Sequence, residues 1–185
     1  LTELQGGSDV GANATVATPT GDGSWKISGE KWFCSNADAD VFLMTARVPD
    51  QGSGTRGLGL FLVPRRLPDN TLNSFRIRRL KDKLGTRSMA SAEIDFLGAT
   101  AEPLGPTEGA FKRVLQLVIN PSRLYNALGC AAHARRAWVI ASTYAQHRKA
   151  FGQPIGQFPE VAETLGWMRA DATASLASSL WIAEI

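Results

Sequence analysis

The sequence predicts an α+β protein. A small antiparallel β-barrel or sandwich is expected over residues 1–105, followed over 106–185 by the first helices of an antiparallel α-helical bundle. Up to about residue 105, short runs rich in β-branched and aromatic residues are separated by clusters of Gly, Pro, Asp and Asn, the pattern of an all-β unit. Beyond Pro106, apolar residues recur at intervals of three and four, which is a helical period. The links between these helical stretches are short, and short links favour antiparallel neighbours.

The elements follow in order. "SWKIS" and "EKWFCS" flank Gly29 and are read as a hairpin. "DVFLMTARV" and "LGLFLVP" are more apolar and are read as buried strands joined by the loop "PDQGSGTRG". "SFRIRRL" follows a Pro-Asp-Asn turn, and "MASAEIDFLG" alternates well enough for a last strand. "TEGAFKRVLQLVI" opens on a threonine suited to an N-cap, with an early acid. Pro121 then interrupts, at the first turn of a helix expected from about Ser122 to Lys149. Leu124, Leu128, Ala131, Ala134, Trp138, Ala141 and Ala145 form one face of that helix. "FGQPIGQFP" breaks it, and a third helix starts near Pro159.

Composition excludes several classes. With 44% hydrophobic residues in 185 the chain is globular. No apolar run reaches the roughly 20 residues of a membrane span, and no secretory leader pattern is present; the cytoplasm is the expected compartment. The chain opens on "LTELQGGSDV" and stops at "SLWIAEI" inside a helical pattern, so it is read as an internal segment of a longer protein. Cys34 and Cys130 form neither a disulfide framework nor a metal-ligand spacing; two buried free thiols and no metal are expected. A net charge of +3 does not by itself call for nucleic acid or membrane.

Five stretches carry candidate chemistry. In "TELQGGSDVG", Gly6 and Gly7 allow a tight turn whose amides can cradle an anion, with Thr2 and Ser8 on either side. A plain structural turn is the alternative. In "KWFCSN", Phe33 and Ser35 share one strand face, Trp32 and Cys34 the other. An aromatic beside a hydroxyl suits a flat heteroaromatic ligand, unless Phe33 is simply core. In "QHRKAFGQPIGQ", Arg148 suits a diphosphate, or merely complements a helix C-terminus; His147 and His133 are read as ordinary surface or core residues. In "NPSRL", Arg123 sits in a first helical turn where a cation opposes the dipole. It therefore needs a carboxylate or a bound anion. "RIRRLKDKLGTR" puts Arg76 and Arg78 on one strand face and Arg79 on the other. It is read as a charged, solvated edge, with a nucleic-acid or phosphate surface as the alternative.

Taken in order, "LTELQGGSDVGAN", "GEKWFCSNADAD", "RLKDKLGTRSMASAEIDF", "NPSRLYNALG" and "QHRKAFGQPIGQFP" resemble the acyl-CoA dehydrogenase family over essentially the whole chain. They are most similar to its alkylation-response (AidB-like) subgroup. The resemblance implies a middle β domain, the start of a C-terminal helical bundle, and FAD. Leu1, Thr2 and Ser8 stand where the family binds the cofactor, and Ser8 also stands near the acyl-CoA phosphates. Phe33-Cys34-Ser35 takes the place of a Trp-x-Thr element. Phe33 then packs on the flavin ring, Ser35 donates near flavin N5, and Trp32 faces the β core. Arg148 stands at an arginine that reaches the FAD of a neighbouring subunit, with Phe151 at the family's aromatic. Asn120 and Arg123 fall where the CoA part of the substrate binds. Leu4 and Gln5 depart from the family's Pro-Gly, and Pro159 from a common glutamine.

The reaction implied is α,β-dehydrogenation of an acyl-CoA, with an electron-transfer flavoprotein or oxygen as acceptor and a homotetrameric or homodimeric assembly. No catalytic base is assigned. The family's glutamate is expected beyond Ile185, and its alternative position is held here by Ser122. Two other readings stand beside this one. One is an AidB-like flavoprotein acting in alkylation stress through DNA association, by regions outside this segment. The other is a segment inactive alone, whose helices expose apolar faces.

Overall fold

The computed structural model describes residues 1–184. They form two compact units, Leu1–Leu115 and the remainder from Gln116 onward. The first contains the strands β1 (Val16–Pro19), β2 (Trp25–Cys34), β3 (Val41–Arg47), β4 (Leu58–Pro64), β5 (Phe75–Leu80) and β6 (Ala92–Pro103), then the short helix α1 (Ala110–Val114). Strand order is β2-β1-β3-β4-β6-β5, and a further β2–β6 ladder closes the sheet into a small barrel. One seam is parallel, where Val16 of β1 meets Arg47 of β3; every other pairing is antiparallel. Arg47 secures that seam: its guanidinium donates to the carbonyls of Gly11, Asn13 and Gly54.

The expected hairpin at Gly29 is one continuous strand, β2. Gly29 has φ +142°, and a Cβ there would lie 2.7 Å from Thr15 Cα. A neighbouring backbone comes close here, beside a register shift between Ile27 and Ser28. Such an irregularity bends a strand without ending it. A second shift, between Lys31 and Cys34, turns Phe33 outward and sets Cys34 against the core. Inside the barrel, Ile27, Phe61, Val63, Ile94 and Phe96 are buried with a set of alanines. Trp25 meets Phe61 at 5.3 Å between ring centroids, and Phe42 meets Phe75 edge-on at the same distance. α1 buries Ala110 and Val114 and packs against β4. Thr107 does not cap it. Gly109, in the left-handed conformation, precedes its first turn.

In the second unit, a π-helical turn (Leu115–Ile119, lying across the boundary) leads directly into α2 (Asn120–His147). Pro121 has no N–H for the carbonyl four residues back, and its ring crowds that carbonyl. The widened turn just before it accommodates both, and Ser122 Oγ donates to Val118 O at 2.6 Å. A two-rung hairpin, β7 (Lys149–Ala150) with β8 (Gln153–Pro154), leads to α3 (Pro159–Glu184). The face expected on α2 is the face turned inward: Ala131 and Ala145 are buried, and the other five positions are partly covered. Val161, Leu165, Met168, Ala172 and Ser179 oppose it from α3. The small residues let the helices approach closely. Neither cysteine is buried: Cys34 is half-covered and Cys130 is exposed on α2.

The outer faces of the helix pair stay apolar. Tyr125 is 81% exposed, and Trp167 and Trp181 are each 66% exposed. The 185-residue chain by itself is therefore expected to self-associate. A single monomeric gel-filtration peak across a tenfold concentration range would contradict this. Among the described residues, no helix is long and apolar enough to cross a membrane.

Candidate flavin-type site

Five of the residues singled out in the sequence come together in one pocket of the first unit. Leu1, Thr2, Phe33, Cys34 and Ser35 line a recess of about 220 Å³ with Lys31, Asn36, Val41 and Leu43. The end of β2 supplies Phe33 and Cys34, and the turn after it supplies Ser35. The segment before the first turn is laid alongside by a hydrogen bond from Trp32 N to Thr2 O, 2.9 Å. Phe33 is 56% exposed, with the apolar Val41 and Leu43 also open to solvent. An exposed ring, apolar walls and hydroxyls from Thr2 and Ser35 fit a flat ligand with polar edges. Gly7 belongs to the same construction. A Cβ there would stand 2.7 Å from Thr2 Oγ1, so glycine leaves that hydroxyl its place.

The wall rests on a buried ion pair that sequence reasoning missed. Lys31 Nζ lies 2.7 Å from Glu3 Oε1, both side chains almost wholly covered. Glu3 also accepts from the amides of Ala14 and Thr15 and from Gln5 Nε2. Burial alone would raise the Glu3 carboxyl. The Lys31 ammonium and those amides outweigh it and hold the pKa at about 2. Burial pushes Lys31 below the ordinary lysine value, with Glu3 opposing. Partial burial pushes the Cys34 thiol up, away from the reactive thiolate form.

Trp32 does not join the core; Lys31 holds the inward position beside it. The Trp32 ring is half-covered on the outer face, with Lys81 Nζ 3.6 Å from its centroid and Arg79 at 5.7 Å. The charged strand β5 is paired with carboxylates rather than merely solvated. Arg76 and Arg78 bond Asp95, while Arg79 and Lys81 bond the buried Glu93. A register shift between Ile77 and Arg79 brings Arg79 round to the carboxylate-bearing face, against the simple alternation expected.

The remaining candidates are not among the residues that line this pocket. Ser8 is exposed and does not line it. In the second unit, Asn120 and Arg123 border a separate recess of about 630 Å³ with Leu124, Ala127, Ser179 and Ile182. Arg123 Nη1 donates to Asn120 Oδ1 at 3.4 Å. Arg148 is exposed at the end of α2, where its backbone N–H bonds Tyr144 O. Phe151 is 98% exposed with φ +51°, edge-on to Phe158. Among the described residues no group of three His, Cys, Asp or Glu side chains is placed to hold a metal ion.

The family model for the middle domain of acyl-CoA dehydrogenases matches residues 1–98, and that for the C-terminal domain matches 111–184. The chain belongs to the acyl-CoA dehydrogenase family. It is 43% identical over 168 residues to AidB of Escherichia coli K12, covering 91% of this chain and 30% of that protein. Among solved structures, the apo form of Bd2924 superposes with TM-score 0.84 at 35% identity, over 98% of this chain and 37% of its own. ACDH-11 of Caenorhabditis elegans, solved in complex with C11-CoA, superposes with TM-score 0.80 at 35% identity, over 99% of this chain and 33% of its own. The chain thus spans about a third of the length of these relatives. Homologues across the family are oxidoreductases acting on CH–CH bonds, such as glutaryl-CoA dehydrogenase of Desulfococcus multivorans, 32% identical.

Proposed function

We propose that this chain supplies the flavin-facing β domain and the first bundle helices of a FAD-dependent acyl-CoA dehydrogenase-like flavoprotein. Its reaction is α,β-dehydrogenation of an acyl-CoA thioester. Residues 1–105 then correspond to the family's middle domain and 106–185 to the opening of its helical domain. The observation that carries the reading is the pocket where Leu1, Thr2, Phe33, Cys34 and Ser35 meet. Its exposed aromatic and its hydroxyls fit an isoalloxazine.

The chemistry FAD supplies when bound is acceptance of a hydride from the acyl β-carbon. The chain's own part is to bind and orient. Phe33 offers a ring face, and Thr2 and Ser35 offer hydroxyls to ring heteroatoms. Asn120 and Arg123 suit the anionic CoA portion, with Ser8 at its phosphates. Arg148 and Phe151, exposed as they are, suit the FAD of a neighbouring subunit in a homodimer or homotetramer. The acceptor is an electron-transfer flavoprotein or oxygen. No carboxylate of the segment is assigned as the base.

An anaerobic titration of the full-length protein with acyl-CoAs of several lengths tests this. Bleaching of the visible flavin band supports the dehydrogenase. Its absence at every chain length favours the AidB-like reading, with DNA association through regions outside the segment. The 43% identity to AidB and Ser122 at one of the family's base positions keep that reading open. The β5 arginines are weak candidates for its DNA surface, because each is already paired with Asp95, Glu93 or Glu30. Ser35→Ala is expected to weaken FAD retention by about 0.5–1.5 kcal/mol, one neutral hydrogen bond. Unchanged affinity and spectrum would remove Ser35 from the site.

A further inference from the structure

We infer that Lys81 is a positioning and charge-setting residue of the same pocket, acting through the aromatic pair Trp32–Phe33; this rests on the flavin reading above. Lys81 Nζ lies 3.6 Å from the Trp32 centroid and 4.5 Å from that of Phe33. A single ammonium thus sits against both rings, and its side chain is only 11% exposed. Cation–π attraction is strongest for such desolvated cations, so Lys81 holds the Phe33 ring that lines the pocket.

The charge balance beside the rings gives Lys81 a second role. Lys81 and Arg79 share the one carboxylate Glu93, at 2.6 and 2.7 Å. Two cations against one anion leave one positive charge in excess beside the Trp32 and Phe33 rings. The other ion pair of the pocket, Lys31 with Glu3, is neutral as a unit. A pocket flanked by an uncompensated cation in partly desolvated surroundings favours an electron-rich occupant over an electron-poor one. A reduced flavin is such an occupant at neutral pH. Lys81 therefore raises the reduction potential of the bound flavin.

The test uses the full-length holoprotein with Lys81→Met, Lys81→Arg and Glu93→Gln. Midpoint potential is read by dye equilibration and FAD affinity by fluorescence. Methionine keeps the apolar stem and removes the ammonium with its bond to Glu93, while Arg79 still satisfies Glu93. Lys81→Met is expected to lower the midpoint potential and weaken FAD binding. Lys81→Arg should restore both towards wild type, and Glu93→Gln should raise the potential. Equal potentials in wild type and Lys81→Met, with flavin bound in both, overturn this inference alone. A wild-type protein that carries no flavin overturns the functional reading and this inference together.

Discussion

Glu3→Gln is expected to destabilise the β unit by about 3–5 kcal/mol, because it leaves Lys31 charged, buried and without its partner. Glu3 is no ordinary surface acid. It joins the first turn to the amides of Ala14 and Thr15 and to β2 through Lys31. The pH dependence has a definite sign. The Glu3 pKa falls from its ordinary 4.5 to about 2 on folding. Its contribution is therefore complete above about pH 4.5 and is lost as pH falls through 2. In Glu3→Gln this acid-side term vanishes. Lys31, depressed by burial even in the wild type, then lacks its opposing partner. The variant should regain stability as pH rises through the lowered Lys31 pKa, where the amine goes neutral. Denaturant midpoints measured from pH 3 to pH 10 decide the matter. A variant that parallels wild type across that range would falsify the assignment.

Gly29→Ala is expected to cost about 3 kcal/mol, from backbone strain and a clash together. The residue has φ +142°, and the added methyl would fall 2.7 Å from Thr15 Cα and Oγ1. Thr15 has little freedom to retreat. Its hydroxyl bonds Glu30 O, and its amide bonds Glu3. Gly98 is the natural control. It also has positive φ (+79°) but faces open space, so Gly98→Ala isolates the strain. Urea midpoints of the two variants should differ clearly, with Gly29→Ala the weaker. Equal midpoints would mean that β2 yields at Gly29.

Much of the fold was legible because burial follows period. The helical face from Leu124 to Ala145 was visible in its spacing alone, and the strands β3 and β4 in their apolar runs. The misreadings cluster where one residue breaks a period. A glycine between two alternating runs signals a turn or an irregular strand equally well, and at Gly29 the tertiary approach of Thr15 decides. The shift between Lys31 and Cys34 defeats simple alternation, so Trp32 was expected inside and lies outside. β1, four residues long, gave no periodic signal. The Glu3–Lys31 pair joins residues 28 apart, and charged residues are ordinarily exposed. The one available cue was a lysine at an inward position of an apolar strand. That Thr2 and Ser35 face one pocket could be anticipated only through family resemblance, since nothing local links them.

The long β6 strand sets the order in which the barrel is made. It pairs with β2, β4 and β5, and its ladder with β2 joins Lys26 to Thr100, 74 residues apart. On the ribosome β2 and β4 are synthesised well before this partner. From Pro64 to Pro103 the chain adds 39 residues, roughly 2–8 s at ordinary elongation rates. For that interval the nascent sheet has no last stave, and strand edges that are sealed in the finished barrel lie open to other chains. The nascent chain is thus open to misassociation until β6 arrives, and closure by so long-range a ladder is expected to be slow.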